Sequence, residues 1–182
     1  WGHGGMMLRN HLNEQAFYYL DKRDSLVRTF RTEGDWKKRQ AVAKKAMLAD
    51  IGAFPERTSL NARITGIEQK DGFRIEKILF ESMPDYYVAG CLFIPDGIKG
   101  KRPAILHVTG HSGAGFSVAT YQRLILNLVK KGFIVFAIDP MGQGERLQYF
   151  DPQKKESVLL YPTVEHTYAG LQCFLTGTSP GK

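Results

Sequence analysis

The chain has 182 residues, of which 43% are hydrophobic and 24% charged, and a formal net charge of +7. This composition excludes a disordered chain, and the length allows one domain with a real core but not two full ones. No apolar run approaches the ~20 residues that a membrane-spanning helix needs, so no membrane partner is expected.

The first residue is Trp1 rather than Met, and the chain is expected to have been processed or trimmed. Trp1–Asn10 is rich in glycine and methionine and reads as frayed. His3-Gly4-Gly5 has the letters of an oxyanion loop, but no strand precedes it to give the motif its context.

Leu12–Thr32 reads as a helix, with Leu12, Ala16, Tyr19, Leu20, Val27 and Phe30 near helical spacing. Gly34-Asp35 breaks and caps the chain, and Trp36–Ile51 makes a second helix. Its apolar face is Trp36, Ala43, Met47 and Ile51, and these side chains read as packing. Lys37, Lys38, Arg39, Lys44 and Lys45 read as a solvated face. No nucleic-acid motif accompanies them, so no nucleic-acid partner is expected. Gly52 suits a helix C-cap and Pro55 a stop. The organisation expected is a helical segment over 1–58, then an α/β domain over 59–182.

From Arg63 the period changes. Arg63–Gln69 and Phe73–Phe80 alternate around Asp71-Gly72, a strong hairpin signal. Tyr86–Ile94 is a further strand, closed by Pro95-Asp96-Gly97. Ala104–Val108 then reads as a central strand, Phe116–Lys131 as a helical pattern whose helix begins near Val118, and Phe133–Ile138 as another strand. Antiparallel strands followed by a βαβ unit give an α/β class with a mixed sheet. After Asp139 a polar loop runs over Pro140–Tyr161, and Pro162 opens a helix over Val164–Phe174. Cys91 and Cys173 sit in apolar patterns and read as buried small hydrophobes.

Chemistry concentrates in Gly110–Ser117, between strand and helix. A phosphate loop would place Gly110, Gly115 and Ser117 in G-x-x-x-x-G-K-[ST]. Phe116, however, occupies the lysine position and cannot neutralise phosphate. A nucleophile elbow would make Ser112 the catalytic nucleophile, with Ala114 at the second glycine position. An oxyanion loop would use Gly110, His111, Ser112 and Gly113, whose flexible backbone turns N–H groups toward developing negative charge. His111 and Ser112 N–H are the donor candidates. His107 reads as a satisfied core histidine and Asp139 as a cap for the loop that follows it. Glu165-His166 begins a helix, where Glu suits the positive dipole end. The five histidines show no metal-ligand spacing, so neither a metal nor a cofactor is expected.

RPAILHVTGHSGAG, Tyr121-Gln122, FIVFAIDPMGQGERLQY, GAFPERTSLNARITG, FRIEKILFES and TVEHTYAGLQCFLTGTSP together resemble α/β-hydrolase esterases, most of all the acetyl xylan esterase-like group of carbohydrate esterases. The resemblance implies a serine esterase with a Ser-His-acid triad, acting on acyl esters of plant polysaccharide or on small esters, and a secreted or periplasmic setting. It implies an oxyanion loop at Gly110–Gly113 and a pocket rim of Asp139, Met141, Gln143, Glu145, Arg146 and His166. A related cephalosporin-deacetylase branch carries Arg-Gly-Gln after its fourth strand; here Met141-Gly142-Gln143 lacks the arginine, and Arg146 stands nearby to supply its charge. In this fold the nucleophile strand, acid and histidine follow the helix of Val164–Phe174. The chain is therefore expected to be an N-terminal portion, inactive alone, whose open sheet edge meets the missing C-terminal half or another copy. The alternative is a non-catalytic degenerate hydrolase module that binds a carbohydrate or protein partner.

Overall fold

A computed structural model describes residues 4–52, 54–159 and 161–180. His3, like Trp1, lies outside the described residues. Contacts divide the chain into two units, Trp1–Ile51 and Gly52–Lys182.

The first unit holds α1 (Met7–Val27), entered through a 3-10 turn at Gly4–Met6, and α2 (Glu33–Ile51). The helix expected over Leu12–Thr32 thus lies earlier at both ends, and the stretch expected to fray is helical from Met7. Its end is set by the next cap. Thr32 Oγ1 accepts the Asp35 N–H at 3.2 Å, and Asp35 Oδ2 accepts the Thr32 N–H at 2.9 Å. This reciprocal capping box needs an extended Thr32, so the chain must leave α1 before it. Gly34-Asp35 is therefore the first turn of α2 rather than a break. Of the apolar positions expected to pack, Trp36 meets Phe30 edge-on at 5.0 Å, but neither helix has a buried residue.

The second unit is built on a five-stranded sheet of order β1-β2-β3-β5-β4. β1 (Arg63–Lys70), β2 (Phe73–Met83) and β3 (Tyr86–Pro95) form the expected antiparallel meander. β4 (Ala104–Val108) and β5 (Ile134–Ile138) pair in parallel, Ile105 with Val135 and His107 with Ala137. A parallel pair needs a crossover, which α3 (Ala119–Lys130) supplies. The 3-10 turn Gly115–Ser117 precedes α3.

One expectation is corrected here. β4 is not central: β5 lies between β3 and β4, leaving β4 at the edge among the described residues. Apolarity alone made it look central, yet Leu106 and Val108 are 63% and 58% exposed.

The core lies on the α3 face of the sheet. Phe93, Val135 and Ala137 pack with Ile125 and Val129 of α3, and Phe73, Ile75, Cys91 and Phe116 flank them. Burying a side chain of this size contributes about 1.5–3 kcal/mol. Phe116, the residue that spoils a phosphate loop, thus anchors the turn by packing edge-on against Phe93 at 6.4 Å.

The polar loop after β5 carries a short hairpin, β6 (Phe150–Asp151) and β7 (Glu156–Ser157), that the sequence did not signal. α4 (Pro162–Leu175) then begins with proline in its first turn, as expected.

Candidate functional site

The glycine loop leaves the end of β4, and a second loop leaves the end of its partner β5 at Asp139. Parallel pairing puts both exits at one end of the sheet, the end at which open α/β sheets bind ligands. Side chains from the second loop hold the first.

Asp139, only 4% exposed, is the main clasp. Its Oδ1 accepts the Phe116 N–H at 2.8 Å and its Oδ2 accepts the Glu145 N–H at 3.1 Å. One carboxylate therefore fixes a turn of each loop. Gly115 and Gly144 flank it with φ of +56° and +55°, and a Cβ built at either position would overlap the carboxylate. Both positions require glycine for conformation and for space. Asp139 caps its own loop, as its sequence position suggests, and reaches a second loop that sequence reasoning did not assign to it.

Gln143 is 2% exposed, and its Oε1 accepts the Ser112 N–H at 2.5 Å. Gly144 N–H donates to Gly113 O at 3.2 Å, and Gly110 N–H donates to the Tyr121 hydroxyl at 3.0 Å. The Ser112 and Gly110 donors are thus taken. Among the described residues, the His111 and Gly113 N–H groups donate to no protein acceptor.

The remaining rim residues converge on the same loops. His166 Nε2 lies 2.5 Å from Met141 O, and His166 Nδ1 lies 3.0 Å from His111 Nε2. Both ring nitrogens of His166 thus have partners other than Ser112. Arg146 Nη1 donates to Asp139 O at 2.9 Å, and its guanidinium sits 5.5 Å from the centre of the Tyr86 ring. Glu145 is exposed and enters the site through its backbone. Glu165 is 1% exposed; its Oε2 accepts the Gln148 N–H at 2.8 Å, while its Oε1 has no partner. Glu165 and Tyr121 are the residues of the site that the expected oxyanion loop and rim did not include. Both lie in stretches that carry the family resemblance, Tyr121-Gln122 and TVEHTYAGLQCFLTGTSP, but beyond the helix-start placement of Glu165 no role was read for either.

His107 is buried against Tyr121, ring centres 5.4 Å apart. It is not the satisfied core histidine expected, because its Nε2 has no partner. Burial pulls its pKa below the ordinary imidazole value.

A 570 Å³ cavity lies behind the glycine loop, between Ala114, Phe116 and Glu145 on one side and Lys77, Leu79 and Cys91 on the other. Burial, with Glu145 second, pushes the Cys91 thiol up to about 11, so it remains protonated and unreactive at neutral pH. Among the described residues, no group of three or more His, Cys, Asp or Glu side chains is arranged to hold a metal.

Comparison with known proteins agrees with this architecture. A family model described as the Abhydrolase family matches residues 18–162. A candidate acetyl xylan esterase from Bacteroides fragilis NCTC 9343 superposes with a TM-score of 0.67 at 25% identity, over 84% of this chain and 41% of its own. A methylesterase matches with a TM-score of 0.51 at 20% identity, over 86% of this chain and 34% of its own, and shows the fold alone. Acetyl Xylan Esterase 1 from Thermoanaerobacterium sp. JW/SL YS485 matches less well, with a TM-score of 0.41 at 23% identity, over 49% of this chain and 27% of its own. No curated protein matches the chain. The chain spans about two fifths of the length of the Bacteroides protein. With a mixed sheet, two loops clasped at the strand ends and a family match over most of its length, this chain belongs to the Abhydrolase family.

Proposed function

We propose that these residues are the N-terminal portion of a serine esterase that removes acyl groups from plant polysaccharide or small esters. The observation that carries this reading is the glycine loop. It is clamped by Asp139, Gln143, Gly144 and Tyr121, yet the His111 and Gly113 N–H groups have no acceptor among the described residues. Rigid, unspent donors at the end of a strand suit a tetrahedral oxyanion. They need no reorganisation when the charge develops, and removing one such donor typically costs about 10²–10³ in rate.

The nucleophile, the base and the acid are contributed by polypeptide outside these 182 residues. Ser112 is disfavoured as the nucleophile in this reading, because among the described residues its hydroxyl has no hydrogen bond to a histidine, and the two nearby histidines pair with each other. The likeness to the acetyl xylan esterase candidate supports acetylated polysaccharide as the substrate class. In the same reading, the outer edge of β4 receives a further strand. This chain alone is expected to offer that edge to another copy.

The test is hydrolysis of acetylated xylan and of p-nitrophenyl acetate by the longer protein that carries this chain and by the chain alone. Activity in the first and none in the second supports the proposal. Activity in the chain alone, lost in Ser112→Ala, moves the nucleophile to Ser112. If neither hydrolyses an ester, the non-catalytic binding module remains.

A further inference from the structure

β2 and β3 make the floor of the 570 Å³ cavity behind the glycine loop. Strand side chains alternate in direction, so Lys77 and Leu79 share one face with their cross-strand partners Cys91 and Ala89. Gly113, Ala114 and Phe116 of the glycine loop stand opposite, with Glu145 beside them. Ala89, Gly113 and Ala114 are small, which leaves the space open. Its volume lies within the range of about 300–1,000 Å³ typical of small-molecule sites. Leu79, Ala89, Cys91 and Phe116 make most of the lining apolar. Lys77 Nζ is already paired, 2.6 Å from Glu68 Oε1. The other polar side chains of the lining accept rather than donate. Thr65 Oγ1 donates its proton to Lys77 O at 3.3 Å and Ser117 Oγ donates to Ala114 O, so both hydroxyls keep only lone pairs. The Asp139 carboxylate meets two neutral backbone N–H groups, which leave its charge in place. The Glu145 carboxylate has no hydrogen bond or ion pair among the described residues. The Cys91 thiol reports the balance of charge. After burial, Glu145 raises it most, Lys77 lowers it, and Asp139 and Glu68 raise it further. Carboxylates thus outweigh the ammonium at the floor.

We propose that this cavity binds a small organic cation, a primary ammonium carried on an apolar ring or short chain. The ammonium meets the Glu145 carboxylate, and the apolar part lies against Leu79, Ala89, Cys91 and Phe116. An ammonium has three donors and no acceptor, which is what a lining of carboxylate and hydroxyl lone pairs requires. An anionic ligand would face Glu145 and Asp139, with the Lys77 ammonium already held by Glu68. The whole chain carries a formal charge of +7, so a preference for a cation here comes from the local lining and not from bulk attraction. Because the glycine loop forms one wall, the bound cation touches the segment that carries the His111 and Gly113 N–H groups. The site goes beyond the esterase reading and does not rest on it.

The test is titration of the isotope-labelled 182-residue chain near neutral pH with benzylamine, benzyl alcohol and benzoate, followed by amide NMR shifts. The three probes share a ring and differ in head group. Benzylamine is expected to move the Ala89, Cys91, Gly113 and Phe116 signals saturably. It should bind more tightly than benzyl alcohol by up to about fivefold, the worth of an exposed ion pair. Benzoate should bind most weakly. Glu145→Gln keeps the backbone N–H that Asp139 holds and should erase the preference for benzylamine. Ala89→Leu fills the floor and should remove binding of all three probes, with the fold checked by circular dichroism. If Ala89→Leu does not fold, the shift map and Glu145→Gln, at an exposed position, decide. The inference is overturned if benzylamine leaves these signals unmoved, or if benzyl alcohol or benzoate binds as tightly. It is equally overturned if Glu145→Gln keeps the preference or a folded Ala89→Leu binds undiminished. None of these results bears on ester hydrolysis.

Discussion

The Asp139 carboxylate accepts the Phe116 N–H at 2.8 Å, so the last turn of the glycine loop hangs from the end of the neighbouring strand. The two residues are 23 apart in sequence. Sheet order makes the contact possible, because β5 lies directly beside β4 and runs parallel to it.

Replacing Asp139 by Asn keeps the shape but turns one acceptor into a donor that faces an N–H. A hydrogen bond to a charged group is lost and a buried donor is left unpaired, at a cost of about 1.5–3 kcal/mol. Urea denaturation measures the loss. Asp139→Ala, which removes both acceptors, should quicken amide exchange at Phe116 and Glu145 together, and quickening at only one of them would argue against a shared clasp.

Gly115→Ala and Gly144→Ala should each destabilise strongly. A non-glycine residue held at positive φ costs about 1–3 kcal/mol before any clash, and here the new Cβ also meets Asp139. Gly113→Ala is the control, since nothing lies within 4 Å of its Cβ position. Equal losses at Gly113 and Gly115 would refute the crowding argument.

Gln143→Ala leaves the Ser112 N–H without its partner and opens space in the loop clasp. The expected loss is about 1–3 kcal/mol from the unpaired donor alone. Gln143→Glu retains an acceptor oxygen and should lose less. The two variants are compared by chemical denaturation at pH 7.

His107 gives the chain an acid-sensitive point. Burial lowers its pKa in the folded state, so the unfolded chain binds its proton first. Stability should therefore be full above the unfolded value and fall as pH drops from there toward the folded value. Replacing His107 by Phe removes the titrating group and should flatten this part of the stability–pH curve. An unchanged slope between pH 7 and pH 5 would count against it.

The edge strand makes a prediction about association. Leu106 and Val108 are exposed beside a β4 backbone that pairs on one side only among the described residues. The chain alone is expected to self-associate in light scattering coupled to gel filtration. Val108→Lys, which places a charge beside that edge, should shift it toward monomer.

Local chemistry made much of this protein legible. The hairpin of β1 and β2 follows from alternation around Asp71-Gly72, and α4 from Pro162 and the apolar spacing after it. The glycine loop and the run from Asp139 to Arg146 stand out because both need unusual backbone freedom. Sequence by itself therefore determined the α/β class, most elements of the second unit and the two loops that carry its chemistry. It misplaced α1, because helical spacing does not register that the Thr32 cap forbids helix at that residue. It put β4 at the centre, because a strand's apolarity is the same whether one neighbour or two will pair with it. Only the tertiary structure decided that Asp139 clasps both loops, that Gln143 takes the Ser112 N–H and that His111 meets His166. The physical reason is separation along the chain. Periodicity and turn chemistry act over a few residues, whereas the contacts that reach the glycine loop join residues 23 to 55 apart and exist only after the sheet has set β5 against β4.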